Sequence, residues 1–183
     1  MKEFLDLGKQ PIANGFLKQE EIASEYFFDL KVGLEEETRL VSLINPVNEN
    51  KMFHENYAYR SSQSKTMLQH FLHVGEGLAK AFKPFYVLEI GSNDGAFIKN
   101  WAKSTSCAVE PCKNFAEITT SMGYKTYNSF WTQELADKIL NDRGHKMDLI
   151  FSANCICHIP DLDECFKAIS KILARDGVFA FQD

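Results

Sequence analysis

The sequence predicts an α/β protein, a doubly wound and mostly parallel sheet stopping after its fifth strand, with a small amino-terminal α+β appendage. Three observations predict it. After Pro84, short apolar runs alternate with amphipathic stretches of ten or so residues, the rhythm of strands joined by crossover helices. The first of these runs, Tyr86–Ile90, leads straight into a glycine turn at Gly91–Gly95. Before Pro84, residues 1–60 mix short apolar pieces with turn signals such as Asn14-Gly15 and Asn45-Pro46. At 183 residues there is room for one full core and an appendage. The expected division is a small module over 1–60 and a core over 61–183 that includes a lead-in helix at 61–82.

In chain order, Tyr26–Val32 and Leu40–Ile44 alternate loosely and predict two strands, joined as a hairpin across Gly33–Thr38. From Ser61 the period becomes helical. Met67, Phe71, Val74, Leu78 and Phe82 recur every three or four residues as one apolar stripe, and Pro84 ends the helix. Tyr86–Ile90 reads as a buried strand, followed by the glycine turn and a helix through about Lys103. Cys107–Val109 is the second strand of the core, and Lys113–Met122 a helix stopped by Gly123. Lys125–Tyr127 is the third strand, and Thr132–Leu140 a helix with Thr132 at its N-cap. Asp148–Ala153, Asp161–Leu173 and Val178–Phe181 supply the fourth strand, fourth helix and fifth strand.

Charge and composition exclude several classes. A formal net charge of −5, with Lys and Arg scattered rather than striped, leaves no footprint for nucleic acid. No apolar run approaches the roughly 20 residues of a membrane span, and the opening MKEFLDLGKQPIANGF lacks the apolar stretch of a signal peptide. The five cysteines at 107, 112, 155, 157 and 165 form neither a disulfide framework nor a C-x-x-C knuckle. Cys155, Cys157 and His158 invite comparison with a metal site, with both thiols on one face of a strand. No second ligand pair accompanies them, so buried reduced thiols in a cytoplasmic protein are expected, and no metal.

The chemistry concentrates in Leu88-Glu89-Ile90-Gly91-Ser92-Asn93-Asp94-Gly95. Gly91 leaves the strand where a side chain would block a ligand, and Gly95 opens a helix whose first N–H groups are unpaired and polarised. A dinucleotide turn would read G-x-G-x-x-G and receive a pyrophosphate. Here the spacing is G-x-x-x-G, with acids at Glu89 and Asp94. Negative charge disfavours a phosphate and suits a cofactor with a sulfonium and an α-amino group, so S-adenosylmethionine is the expected occupant. A tight βα turn without a ligand is the plain alternative. Glu110, before Pro111, ends the second strand sixteen residues beyond Asp94, near the offset of about 20 at which an acid meets a ribose diol. It reads as a ribose ligand or as a surface acid at a strand end. Asn128-Ser129-Phe130-Trp131 follows the third strand, where adenine usually lies, with Phe130 or Trp131 either stacking or in the core. Asn154 and His158 follow the fourth strand, beside the switch point where open α/β sheets bind ligands. His158 is either a general base or a structural imidazole bonded to a nearby carbonyl.

With these residues in place, the chain resembles the bacterial sugar C-methyltransferases, which act on nucleotide-linked 4-keto deoxysugars. Leu5–Asn14, LDLGKQPIAN, matches that family's opening LDLG-x-x-P-L-A-(N/D). Phe53–Ser62, with Ser64 and His70, matches its Y-x-Y-x-S-S-x-S…H signature, the most specific part. GSNDG at 91–95, VEP at 109–111 and N-x-x-x-H-I-P at 154–160 follow in order. The resemblance spans nearly the whole chain and implies a class I, Rossmann-like methyltransferase. By the same resemblance, Tyr57 and Tyr59 line the acceptor pocket, and Ser62 and Ser64 meet the methionine end of the cofactor. From the residues alone, that segment is also a polar turn capping the 61–82 helix through Ser61 or Ser62. The expected cofactor set is Ser62, Ser64, Glu89, Gly91, Ser92, Asn93, Asp94, Gly95, Glu110, Pro111, Ser129, Phe130 and Asn154. His158, Tyr57 and Tyr59 are expected at the transfer step.

Two departures from the family pattern carry consequences. Family members usually hold zinc in an amino-terminal module with two C-x-x-C pairs. Here the first pair would precede Met1, and the second falls on Glu35 and Thr38, so no zinc is expected. The family's proposed base is a His in a Tyr-x-Glu-His segment beyond the fifth strand, whereas this sequence stops at Asp183. The fifth strand is then a bare edge, for which a homo-oligomer or a partner polypeptide is the expected cover. Carbon methylation needs a base, and His158 is the in-chain candidate. The expected function is methyl transfer to a small molecule, a nucleotide sugar by this resemblance. The alternatives are a cofactor-binding subunit completed by a carboxyl-terminal partner, and transfer to oxygen or nitrogen of another small molecule.

Overall fold

In the computed structural model, which describes residues 1–183, the chain divides into two units, Met1–Ala58 and Tyr59–Asp183. The first is built on an antiparallel sheet of β1 (Lys2–Pro11), β2 (Phe27–Leu34) and β3 (Val41–Leu43), in that order. Strand β1 is absent from the expected elements. Gly8 and Pro11 in Leu7-Gly8-Lys9-Gln10-Pro11 argue against a regular strand. The structure accommodates both: the pairing with β2 shifts register between Asp6 and Lys9, Gly8 takes a φ of 67°, and Pro11 is the last residue. Lys31 on β2 reaches Asp6 on β1 at 2.8 Å. The expected hairpin forms between β2 and β3, closed by the Glu35 N–H donating to the Leu40 carbonyl. A single turn of helix, α1 (Glu49–Met52), follows, with the Asn48 side chain capping the Asn50 N–H.

The second unit carries five parallel strands. Helix α2 (Lys65–Phe82) leads into β4 (Val87–Ile90), β5 (Ser106–Val109), α3 (Lys113–Ser121), β6 (Lys125–Tyr127), α4 (Gln133–Arg143), β7 (Met147–Ala153), α5 (Leu162–Ile172) and β8 (Leu173–Gln182). The order across the sheet is β6-β5-β4-β7-β8, with every neighbouring pair parallel. The chain therefore winds outward from β4 in one direction, then returns to the other side at β7. That reversal opens a crevice at the carboxyl ends of β4 and β7.

Alternation along the strands builds a core on each face. Leu88, Ile90 and Ile150 pack with Leu135 and Ile139 of α4 and Ala168, Ile169 and Ile172 of α5. On the other face Phe151 meets Phe71 of α2 and Phe97, whose rings stand 3.7 Å from Phe151 (stacked) and 6.1 Å from Phe71 (edge-on). Met67, Val74 and Leu78 of the predicted stripe pack into the same cluster, while Phe82 stays exposed. No helix is long and apolar enough to cross a membrane.

Two expectations are corrected. The helix expected after Gly95 does not form, and only a 3-10 turn at Ile98–Asn100 follows. Ala96, Phe97 and Ile98 are all buried in succession, which one stripe of an α-helix cannot achieve. Asn100 Nδ2 also takes the Phe97 and Phe71 carbonyls, and such side-chain bonding competes with a helical ladder. The N-cap of α2 is Ser64 rather than Ser61 or Ser62, its Oγ accepting from the Met67 N–H at 3.2 Å. Two elements extend well beyond the expected bounds, α4 to Arg143 before a left-handed Gly144 and β8 back to Leu173 with an irregularity before Val178, while β3, β4, α3 and α5 are each shorter by one or two residues.

Ser64→Ala is expected to lower stability by about 1 kcal/mol, measured by urea unfolding. Ser61→Ala, whose side chain does not cap α2, is expected to stay within about 0.5 kcal/mol of wild type.

Candidate functional site

The turn after β4 is fastened from three sides. Beneath it, the Gly91 and Ser92 N–H groups both donate to the Val109 carbonyl, tying the turn to β5. From β5, Glu110 accepts the Asn93 N–H on Oε2 at 2.7 Å and the Cys112 N–H on Oε1 at 2.8 Å. From above, the segment leading into α2 clamps down. The Ser61 N–H donates to Asn93 Oδ1, Asn93 Nδ2 donates to the Tyr59 carbonyl, and Ser62 Oγ donates to Asp94 Oδ2 at 2.6 Å. Asn93 has a φ of 47°, a left-handed conformation that asparagine tolerates better than most residues.

The two glycines serve different ends from those expected. At Gly91, φ is 74° and a Cβ would stand 2.7 Å from Cys155 Sγ, so the neighbour it admits is a thiol of the chain itself. Gly95, at φ 82°, passes Thr119 and Met122 around α3 and starts no helix; its N–H donates to the Ser92 carbonyl. The polarised helix terminus of the sequence reading is therefore absent. Negative charge remains. Glu89, Asp94 and Glu110 are all buried around the turn. Burial pushes the Glu89 carboxyl well above the usual carboxylate range; the Ile98 N–H opposes this, and Glu110 and Asp94 add to it. Burial likewise raises Glu110, against the N–H groups of Cys112 and Asn93. Ser92 Oγ and Glu89 Oε2 are buried without a hydrogen-bond partner. Such a set, acidic and short of donors, fits a cationic group and not a phosphate.

Beyond β5, Asn128 Nδ2 bridges the Glu110 and Pro111 carbonyls at 2.8 Å each, a fastening that nothing in the sequence singled out. Ser129 is exposed and Phe130 half-buried at the end of β6, while Trp131 is core, its Nε1 donating to the Cys165 carbonyl. Across the crevice, Asn154 has a φ of 49° and donates its N–H to the Gln182 carbonyl of β8. Asp183 accepts the N–H groups of Cys155 and Cys157. These cysteines lie at a 3-10 turn, Ile156–His158, rather than on one strand face, and Cys157 is exposed rather than buried. Burial lifts the Cys155 thiol to about 12, so it is not a ready thiolate ligand. His158 is exposed on the same turn. His70, two turns into α2, meets Gln182 Oε1 through Nε2 at 2.6 Å, so α2 and β8 join at the lip of the crevice. The family signature was the only hint of His70. Tyr59 is exposed, and Tyr57, in the amino-terminal unit, sets its ring 5.4 Å from that of Phe53.

Known proteins share this fold. Residues 53–183 match a family described as a methyltransferase domain, and residues 1–53 one described as a putative zinc binding domain. Residues 1–53 hold no cysteine or histidine, so their donor set does not fit a structural zinc. The chain is 27% identical over 186 residues to the C-methyltransferase NovU of Streptomyces niveus, an overlap of 97% of this chain and 43% of that protein. The chain thus spans less than half the length of this relative. Among solved structures, the plantazolicin methyltransferase BpumL, in complex with a monoazolic desmethylPZN analog and SAH, superposes with a TM-score of 0.51 at 13% identity, over 66% of this chain and 49% of that one. DesVI of Streptomyces venezuelae gives 0.51 at 11% identity, over 65% and 51%. These structures share the class I methyltransferase fold with this chain. On the match over residues 53–183, the chain belongs to the S-adenosylmethionine-dependent methyltransferase family.

Proposed function

We propose that this chain binds S-adenosylmethionine at the Gly91–Gly95 turn and serves C-methylation of a nucleotide-linked keto sugar. The observation that carries this reading is the clamp of Tyr59–Ser62 onto Asn93 and Asp94. It ties the most specific stretch of the sugar C-methyltransferase resemblance to the acidic turn. The likeness to NovU, a C-methyltransferase, supports the reaction class.

When bound, the cofactor supplies a methyl group made electrophilic by a positive sulfur. Glu89 and Asp94 are the acids available to balance that positive charge once it is bound, and Ser92 Oγ offers it a buried hydroxyl. Gly91, Asn93 and Gly95 hold the main chain of the turn in shape. Ser62 and Ser64 stand where the methionine end is expected. Glu110 retains lone pairs beyond its two backbone bonds, enough to accept from a ribose diol next to Pro111. Ser129 and Phe130 flank the adenine position, and Asn154 faces the cofactor from β7. Tyr57 and Tyr59 keep the acceptor role that the resemblance implies. His158 removes the proton from the carbon beside the ketone, which the carbonyl has acidified.

Titration calorimetry with S-adenosylmethionine should show binding, weakened about tenfold or more in Glu110→Ala through loss of charged hydrogen bonds. No heat with folded wild-type protein would sink the reading. In a radiolabelled methyl-transfer assay with a nucleotide-linked 4-keto sugar, His158→Ala is expected to slow transfer about 10²–10⁴-fold at unchanged cofactor affinity. Labelling of an oxygen or nitrogen acceptor instead, or activity that appears only with a carboxyl-terminal partner, would select another reading.

A further inference from the structure

The acidic turn raises a question of charge balance. Glu89, Asp94 and Glu110 are only 4%, 7% and 4% exposed. Asp94 accepts hydrogen bonds from the Ser62 N–H and hydroxyl. Glu110 is held by two backbone N–H groups. Glu89 is the least satisfied of the three. It sits on the face of β4 that carries Phe97, Phe71 and Phe151 across from it, and its Oε2 has no partner. The charges that reach it, from Glu110 at the end of β5 and Asp94 in the turn, are both negative. From the α3–β6 connection it faces Tyr124, whose hydroxyl is engaged with the Trp101 carbonyl and whose ring lies under the Lys103 ammonium at 5.9 Å. No salt bridge reaches Glu89, Asp94 or Glu110. A buried carboxylate with no cation beside it is costly, and the usual relief is to keep a proton.

We propose that Glu89 is a specificity-determining residue of the cofactor site, protonated while the site is empty and ionised when the sulfonium cofactor arrives. The proton on its carboxyl passes to solvent, and the incoming positive charge takes over its neutralising role. No bond to carbon or sulfur changes. S-adenosylmethionine brings one positive charge more than its thioether product S-adenosylhomocysteine, so the exchange favours the substrate over the product. The inference rests on the cofactor reading above and assigns it a mechanism of discrimination. The sign follows from linkage: a group protonated in the free protein and ionised in the complex makes affinity rise with pH, up to its free-state pKa.

Calorimetry in two buffers of different ionisation enthalpy, phosphate and Tris, tests this at one pH near neutrality. Binding of S-adenosylmethionine is expected to release close to one proton, read from the difference in heats, and S-adenosylhomocysteine distinctly less. Affinity for S-adenosylmethionine should fall up to tenfold per pH unit on acidification while that for S-adenosylhomocysteine falls less. Glu89→Gln should remove the buffer dependence and cut the preference for S-adenosylmethionine roughly tenfold. Heats that do not depend on the buffer, equal release for both ligands, or undiminished release in Glu89→Gln would each overturn the proposal. Should Glu89→Gln fail to fold, the two-ligand comparison on wild type decides alone. Absence of any heat is a different failure, that of the cofactor reading itself.

Discussion

Glu110 is the residue on which the rest of the site depends. One buried carboxylate gathers two backbone N–H groups, those of Asn93 and Cys112, from the ends of two adjacent parallel strands. Backbone donors bonded to an ionised acceptor are among the stronger hydrogen bonds a protein makes. Here they lock the turn after β4 to the turn after β5. Once Asn93 is held, its side chain is free to grip Tyr59 and Ser61, and Asp94 falls under Ser62. Removing Glu110 would therefore release both turns at once. The left-handed conformation of Asn93 and the seat of the α2 lead-in both rest on it.

Much of this was legible in the residues because the parallel sheet writes itself as buried runs of apolar side chains. Val87–Ile90, Lys125–Tyr127 and the Thr132 cap stand where the patterns put them. What stayed hidden has a common cause: tertiary burial overriding local preference. Ala96–Ile98 looks helical in isolation, yet three successive side chains have somewhere apolar to go, and the helix yields. Gly8 and Pro11 mask β1, although a bulge and a strand terminus suit them well. At the site, the acids could be read from their order, but the reason for Gly91 could not. Only the fold brings Cys155 beneath it. Asn128 gave no signal either, since an amide bridging two carbonyls follows no spacing rule.

The amino-terminal unit is built on a small antiparallel sheet. Its sheet forms without a single cysteine or histidine in residues 1–53, and its ties include strand pairing, the Lys31 contacts with Glu3 and Asp6, and the amino terminus beside Glu35. A module of this size without thiolate or imidazole donors in its sheet relies on modest forces, exposed ion pairs among them. Several large apolar side chains, Phe4, Leu7 and Phe16 among them, remain exposed on it.

Helix α2 is held to the lip of the crevice at two points. Ser62 fixes its approach over Asp94, and His70, in the second turn of the helix, meets Gln182 on β8. Swinging this helix outward would break both contacts and pull Phe71 away from Phe97 and Phe151. The helix is thus a fixed rail. Together with its lead-in it forms one wall of the crevice, tied to the turn after β4 at one end and to β8 at the other.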